Sequence, residues 1–192
     1  MKRLICALFV LATANAALAQ APAGQPAARP PAGPGLTLTS ASYEDGGIIP
    51  NKYTQADPKP ISPQLKITNV PAGTQTFVLL FHDPDVAIQK KVGDVLHGLW
   101  FNIPGTTTEF AEGDLTAPKV PEGTVQAKNL RGQPGYMGPG AGAAGPYHHY
   151  TFELFALDSK LDLTADATRD QVMAAMDGHI VGKAVLVGRF HR

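Results

Sequence analysis

Apolar and polar residues alternate with a period of two over much of the chain, which predicts a protein built mainly of β-strands. The stretch Leu36–Ser40 alternates, and the alternation resumes over Ser62–Ile67, where Leu65 and Ile67 take the inward positions. The next stretch, Thr76–His82, is almost continuously apolar and rich in β-branched and aromatic residues. Such a run indicates a central strand that is covered on both faces.

Later stretches repeat this strand character and are separated by loops. His97–Pro104 and His148–Asp158 are predicted buried strands, and Val181–Phe190 is predicted to close the domain as a final strand. Turn residues interrupt Tyr43–Tyr53, so a loop is predicted there rather than a helix. Thr106–Asn129 has neither period, and we expect an extended loop with at most short strands.

One segment has helical spacing instead. Within Asp166–Asp177 the apolar residues Val172, Met173 and Met176 recur at helical intervals, and Gly178 stands where a C-terminal cap belongs. The sequence therefore predicts a single helix near the C-terminus, and the methionines are interpreted as core residues.

The N-terminal 35 residues do not fit a folded domain. Residues 1–19 combine Lys2 and Arg3, an apolar run and a small-residue site at Ala17–Ala19, which is typical of a secretory signal peptide; the alternative is an uncleaved anchor. Residues 20–35 are almost entirely Ala, Pro and Gly, so a disordered tether is predicted. The folded domain is expected to span residues 36–192, in the periplasm or secreted.

Charge and hydropathy exclude two classes of partner. The chain has 16 basic and 16 acidic residues and a pI near 7.0, without the basic bias that nucleic-acid binding requires. No stretch after residue 19 approaches the roughly 20 apolar residues of a membrane-spanning helix, so no transmembrane segment is predicted in the mature chain.

Candidate chemistry is concentrated where a glycine-rich loop meets a strand. The stretch Gly132–Asp158 leads into His148, His149 and Tyr150, three side chains that form hydrogen bonds. Strand alternation places His148 and Tyr150 on one face and His149 on the other. The alternative is a long hairpin loop whose histidines merely begin a strand.

A second polar group stands at the end of the predicted central strand. Asp83 and Asp85 flank Pro84, which stops the strand, and the two acids could simply cap a turn. His97 begins the next predicted strand, so Asp83 and His97 could meet if the two strands pair.

The sequence gives little support to an enzyme. A hydrolase would need Asp83 to orient His97, and a metalloenzyme could use His97, His148 and an acid. No serine or cysteine lies in a nucleophile motif, and neither GxSxG nor HExxH occurs. We therefore expect no catalytic residue, no metal and no cofactor.

Several motifs in sequence resemble those of one known family. They are Asp83-Pro84-Asp85, the HGLWFNIP of His97–Pro104, the GYMGP of Gly135–Pro139, the HHYTFELFALD of His148–Asp158, and the closing helix and strand. Together they resemble the phosphatidylethanolamine-binding protein family, in its bacterial branch of Raf-kinase-inhibitor-like proteins. The resemblance implies a mainly β fold in which a large central sheet packs against a smaller one, with a few short helices.

The resemblance also implies a small surface pocket for phosphate-like or carboxylate anions and phospholipid headgroups. Matched motif by motif, it makes Asp83 and Asp85 the pocket acids, gives Gly138 and Gly140 a close backbone approach to the ligand, and makes His97, His148 and Tyr150 the remaining ligand-binding residues. Physically, imidazole and phenol donors with glycine amides can hold an oxyanion, while the acids orient the histidines.

Three positions depart from the pattern of the family. A proline is replaced around Ala87, a proline pair becomes Ala141-Gly142, and an arginine between the histidine and the tyrosine becomes His149. A looser loop and the loss of a fixed cation are expected.

The sequence thus predicts an exported, non-enzymatic binding protein with a small anionic ligand. The alternative is an interaction or inhibitor protein that captures a partner enzyme through the rim of the pocket, with Thr106–Asn129 as a possible surface. Kinase regulation, known in eukaryotic members of the family, is not transferred to an exported protein.

Overall fold

A computed structural model describes residues 34–86, 93–116 and 119–192. These residues all belong to one unit that spans residues 32–192. The predicted signal peptide, nearly all of the predicted tether and the departure around Ala87 lie outside the described residues.

Within the described residues, nine strands form two sheets, the architecture that the family resemblance implies. The larger sheet has six strands in the order β2-β9-β8-β4-β5-β7, and the smaller sheet has three in the order β1-β3-β6. The strands are β1 Thr37–Thr39, β2 Gly47–Ile48, β3 Leu65–Thr68, β4 Thr76–Asp83, β5 Val95–Pro104, β6 Glu109–Phe110, β7 Val125–Ala127, β8 His148–Leu157 and β9 Ile180–Phe190.

The larger sheet is covered on both faces. One face packs on the smaller sheet, where Leu65 and Ile67 of β3 meet residues such as Phe152 of β8 in a shared apolar core. The opposite face packs on the single helix of the described residues, whose Val172 and Met176 are fully buried. This arrangement confirms the large sheet, the smaller sheet, the inward face of β3 and the core role of Met176.

Strand β4 occupies a central position, and every one of its residues is buried, as its continuous apolar run predicts. It pairs antiparallel with β5 on one side and with β8 on the other. In the register, Asp83 lies opposite Val95 and His82 lies opposite Thr151. The end of β4 therefore lies between the starts of β5 and β8, which carry His97 and His148.

The helix, α1, spans Arg169–Met176, a shorter range than the predicted Asp166–Asp177. Thr168 and Gln171 form a capping box that defines its start, because each side chain bonds the other residue's backbone N–H. After its end, Gly178 has a φ of +83°, the left-handed conformation that favours glycine, as predicted from the sequence.

The loop regions contain more structure than their sequences indicate. The Tyr43–Tyr53 stretch includes strand β2 and a 3₁₀ turn at Asn51–Tyr53, so the prediction of a plain loop was wrong there. Its Ile49 and Tyr53 are buried, and this tertiary packing outweighs the local turn signals. Thr106–Asn129 contains only the short strands β6 and β7 among its described residues, as expected. No helix in the described ranges has the length and hydropathy needed to span a membrane.

Candidate functional site

A cavity of about 350 Å³ opens where β4, β5 and β8 meet the glycine-rich loop. It has a polar side and an apolar side. Polar side chains that line it are Gln55, Asp83, His97, Arg131, His148 and Tyr150; apolar ones are Val86, Val95, Leu130 and Met137; and Gly140–Gly142 complete the wall. The cavity therefore brings together Asp83, His97, Gly140, His148 and Tyr150 of the residues that the sequence singled out.

Asp83 is the buried anchor of the polar side. Its Oδ2 accepts a hydrogen bond of 2.8 Å from Nδ1 of His148, while its Oδ1 accepts one of 3.0 Å from the backbone N–H of Asp85. Because the carboxylate accepts a hydrogen bond from Nδ1–H of His148, Nε2 is the ring nitrogen left to face the cavity. Asp83 thus fixes both the orientation and the tautomer of His148.

His97 is held differently from the sequence expectation. Its Nδ1 donates a 2.7 Å hydrogen bond to the backbone carbonyl of Met137, and no hydrogen bond joins its ring to Asp83 in the described structure. The ring contacts Phe81 and Tyr150 edge-on, with centroids 5.4 Å and 5.2 Å away. Burial lowers the pKa of His97, although the Met137 carbonyl and the charge of Asp83 act in the opposite direction.

Tyr150 supports the loop from within the cavity. Its hydroxyl oxygen accepts hydrogen bonds from the backbone N–H groups of Gly140, at 3.1 Å, and Ala141, at 2.9 Å. With both lone pairs occupied, the hydroxyl can only donate its own proton. Burial, followed by the charge of Asp83, raises the pKa of Tyr150 to about 12, so the phenol stays protonated at neutral pH.

Asp85 lies outside the cavity lining, and its expected role as a pocket acid stays a prediction. Its Oδ2 accepts from both the backbone N–H of His149, at 2.6 Å, and the ring Nδ1 of His149, at 2.9 Å. Burial alone would raise the pKa of Asp85, but the two bonds from His149 outweigh it and lower the pKa. The pair is exposed and fastens the turn after β4 to the start of β8.

Alternation along β8 therefore has the predicted phase. His149 points to the exposed side and bonds Asp85, whereas Tyr150 is buried and continues into the core through Phe152 and Leu154. His149 occupies the place where the resemblance expects an arginine, and it supplies the partner that Asp85 needs.

The two glycines pack against protein rather than offer amides to the cavity. A Cβ on Gly138 would come within 2.9 Å of the backbone carbonyl oxygen of Tyr53, and one on Gly140 within 2.7 Å of the amide nitrogen of Gln55. The backbone N–H of Gly140 is already bonded to Tyr150. Gly138 is absent from the cavity lining, and its expected approach to a ligand stays a prediction.

Sequence reasoning missed Arg131 and Gln55. Arg131 donates a 2.8 Å hydrogen bond to Oε1 of Gln55, whose Nε2 donates to the carbonyl of Gly138 at 2.8 Å. Arg131 stands four residues before Gly135, and a cation so close to the glycine-rich loop could have been recognised as a candidate site residue. Gln55 carried no such signal, because its turn is remote in sequence and reaches the cavity only through the fold.

The apolar side of the cavity opens to solvent. Leu130, next to Arg131, is 54% exposed, and Val86 and Val95 are half-buried. Together with buried Met137 they are the apolar side chains of the cavity lining.

The hydrogen bond that the hydrolase alternative requires is not the one observed. That alternative needs Asp83 to hold His97 of β5, but Asp83 holds His148 of β8, the other strand that flanks β4. Over the described ranges, no cluster of three or more His, Cys, Asp or Glu side chains has the spacing to hold a metal ion.

Comparison with known proteins gives a consistent answer. Residues 39–191 match the family model described as phosphatidylethanolamine-binding protein. The chain is 38% identical over 157 residues to a UPF0098 protein of Methanothermobacter thermautotrophicus, covering 82% of this chain and 99% of the relative. A UPF0098 protein of Aquifex aeolicus is also 38% identical, over 82% of this chain and 89% of its own length.

Solved structures show the same fold. A phosphatidylethanolamine-binding protein homologue from Chlamydia trachomatis superposes with a TM-score of 0.70 at 31% identity, covering 82% of this chain and 98% of that one. YbcL of E. coli, described as a member of the mammalian PEBP family, superposes with a TM-score of 0.72 at 24% identity, covering 83% and 99%.

Proposed function

The chain belongs to the phosphatidylethanolamine-binding protein family, and from this membership we propose that it is a non-enzymatic binding protein whose cavity holds a small anion. The proposed ligand is phosphorylated or carboxylated, such as a phospholipid headgroup. Membership of this family supports a binding or inhibitor type of protein, and the cavity supports the choice of an anion.

The observation that carries this proposal is the convergence, from separate parts of the chain, of side chains that can donate hydrogen bonds, the two imidazoles in their protonated form. His148 and Tyr150 come from β8, His97 comes from β5, and Arg131 comes from the loop after β7, and all four line the same cavity. The guanidinium carries a fixed positive charge, and the phenol can only donate. Donors around a partly dehydrated space favour an oxyanion.

The mixed lining of the cavity narrows the class of ligand further. The apolar residues Val86, Val95 and Leu130 line the same cavity as the polar groups, and they form what we call its apolar wall. An anion that carries an apolar substituent would place its charge among the donors and its substituent on this wall. A phosphodiester with short alkyl chains has this form, and buried apolar area contributes about 25 cal/mol per Å².

A binding titration tests the proposal. Dibutyl phosphate is a suitable probe, because its charge does not change near neutral pH. Replacing His148 or His97 with alanine is expected to weaken binding by roughly 1–3 kcal/mol, the scale of a lost charge-assisted hydrogen bond. His149→Ala is the matched control, because that ring faces away from the cavity, and it should weaken binding less.

Two results would contradict the proposal. One is the absence of binding by the wild-type protein to dibutyl phosphate, sulfate and acetate alike. The other is loss of binding in His149→Ala while His97→Ala and His148→Ala bind normally, with circular dichroism to confirm that all three variants are folded.

We further propose that the protein acts in the periplasm or outside the cell. The signal-peptide pattern of residues 1–19 and the tether composition of residues 20–35 support this proposal. Intact-mass measurement of the protein from the periplasmic fraction should give a mature N-terminus near Gln20. A species that retains Met1 in the cytoplasmic fraction would argue against export.

A second candidate function is capture of a protein partner through the rim of the cavity. The observation in its favour is Leu130, a large apolar side chain that is 54% exposed at this rim. Capture from periplasmic extract should then fall for Leu130→Ser and stay unchanged for Ile180→Ser, a control on a similarly exposed residue of β9. Equal capture by both variants would remove this alternative.

A further inference from the structure

His97 presents a hydrogen-bond acceptor, not a donor, to the cavity when its ring is neutral. The Met137 carbonyl can only accept, so the proton of the neutral ring must be on Nδ1. Nε2 is then unprotonated and carries a lone pair. It is the ring nitrogen left for the cavity that His97 lines. A lone pair repels an oxyanion, so a neutral His97 cannot serve the proposed ligand as a donor.

The surroundings of His97 favour its neutral ring in the free protein. The residue is only 3% exposed, and burial lowers its pKa. The charged and titratable groups around it are Asp83 and His82 of β4, Tyr150 and His148 of β8, and Arg131 of the loop after β7. Asp83 favours the protonated ring, whereas Arg131 and His82 oppose it.

We propose, on the basis of the function proposed above, that the cavity takes up its anion together with one proton, which lies on Nε2 of His97 in the complex. The proton comes from solvent, and no covalent bond forms or breaks. Protonation converts Nε2 from an acceptor into a donor, and the negative charge of the ligand stabilises the imidazolium that results. The ligand class is therefore an anion whose binding is coupled to protonation.

The other donors do not remove the need for this proton. Tyr150 has one hydrogen to give, because its lone pairs are held by the Gly140 and Ala141 amides. A neutral His148 has its proton on Nδ1, bonded to Asp83, so its Nε2 also presents a lone pair rather than a hydrogen. Arg131 is exposed, and one of its N–H groups is already bonded to Gln55. His97 is the most buried of the cavity's imidazoles, so an oxyanion at the base of the cavity would meet its lone pair unless the ring were protonated.

Proton uptake has a definite effect on affinity. Between the pKa of His97 in the free protein and its higher pKa in the complex, affinity should fall about tenfold for each unit rise in pH. Below the lower pKa the ring is already protonated, and above the higher pKa the anion binds without the proton. In both of these ranges affinity should become independent of pH.

Calorimetry of the intact protein with dibutyl phosphate tests the proposal directly. Titrations from pH 6 to 8, in buffers that differ in ionisation enthalpy, give the number of protons taken up for each anion bound. We expect the wild type to approach about one proton at the maximum. His97→Gln keeps a side-chain donor without a titratable ring, so it should bind with little uptake and little pH dependence.

Nitrogen NMR and a second variant make the result specific. Imidazole ¹⁵N shifts of the wild type should show an unprotonated Nε2 of His97 in the free protein at pH 7.5 and a protonated one after addition of the probe. His179→Gln removes an exposed histidine that pairs with Asp158 and lines no part of this cavity, so its proton uptake should match that of the wild type.

The outcomes separate this inference from the proposed function. Binding without proton uptake at any pH, or uptake unchanged in His97→Gln, overturns proton coupling and leaves the anion pocket in place. Failure of the wild type to bind any anionic probe overturns both.

Discussion

Oδ2 of Asp83 lies 2.8 Å from Nδ1 of His148, although 65 residues separate them in sequence. The Asp83 side chain is 3% exposed and that of His148 is 20% exposed, so the acid is the buried partner and the imidazole the one that borders the cavity. For the proposed anion, the effect of the carboxylate is therefore expected to come through the ring that it positions.

The first prediction follows from this pair. Asp83→Asn keeps the shape of the side chain but removes its charge, so the hydrogen bond to His148 becomes a neutral one. Affinity for dibutyl phosphate should fall by roughly 1–2 kcal/mol, since neutral hydrogen bonds are about half as strong as charge-assisted ones.

The matched control is Asp85→Asn, which alters an exposed pair with His149 outside the cavity. Exposed ion pairs contribute about 0–1 kcal/mol to stability, and this one touches no cavity-lining imidazole. A larger loss of affinity in Asp85→Asn than in Asp83→Asn would mean that the two acids have been assigned the wrong roles.

The second prediction concerns the hydroxyl of Tyr150. Tyr150→Phe leaves the backbone N–H groups of Gly140 and Ala141 without their acceptor, and the free energy of unfolding should fall by about 1–3 kcal/mol. Urea denaturation measures this change. Tyr147→Phe is the control, because Tyr147 is 43% exposed, and its effect should stay within about 0.5 kcal/mol. Equal stability of the two variants would show that the hydroxyl does not support the loop.

A third prediction distinguishes the two glycines. In Gly140→Ala the new methyl group meets the amide of the Gln55 side chain, which can move away. Its movement would free Arg131, so anion affinity should change while stability changes little. In Gly138→Ala the methyl group meets the Tyr53 backbone carbonyl at 2.9 Å, and stability should fall by about 1–3 kcal/mol.

Paired measurements of binding and unfolding test this distinction. Gly138→Ala should lose more stability than Gly140→Ala, and the reverse order would refute the packing roles assigned to both residues.

Much of the fold could be predicted from periodicity, because the strands that matter most bury their side chains in a regular pattern. The five consecutive apolar residues of β4, Phe77–Phe81, and the alternation of β8 are local features of the sequence. The alternation also predicted which side chains of β8 face inward, since Tyr150 is buried and His149 is exposed. Short elements such as β2 were not predictable, since Gly47–Ile48 is held by pairing with the distant β9.

The residues that line the candidate site were more predictable than the hydrogen bonds between them. Asp83 was expected near His97, and both residues line the same cavity. The register of β4 with β8, however, brings the Asp83 carboxylate within hydrogen-bond distance of His148 instead. Which of two neighbouring strands supplies a hydrogen-bond partner depends on register, and the composition of each strand does not encode it. Gln55 was missed for a similar reason, since its contact with Gly138 spans 83 residues.

The last prediction concerns the stability of the empty protein at low pH. Burial lowers the pKa of His97 in the folded state, whereas the unfolded chain should titrate near the ordinary value of about 6.5. Between these two values the unfolded state binds more protons, so the free energy of unfolding falls as pH decreases through this window and is constant on either side of it, as far as His97 is concerned. Urea denaturation of the wild type and of His97→Gln at pH 5.5, 6.5 and 7.5, without added anion, should show a steeper loss of stability towards low pH in the wild type.

His179→Gln, at an exposed histidine, controls for removing a titratable ring elsewhere, and it should keep the loss of stability that is due to His97. If the wild type and His97→Gln lost stability in parallel, His97 would have the same pKa in the folded and unfolded states, and burial would not be lowering it.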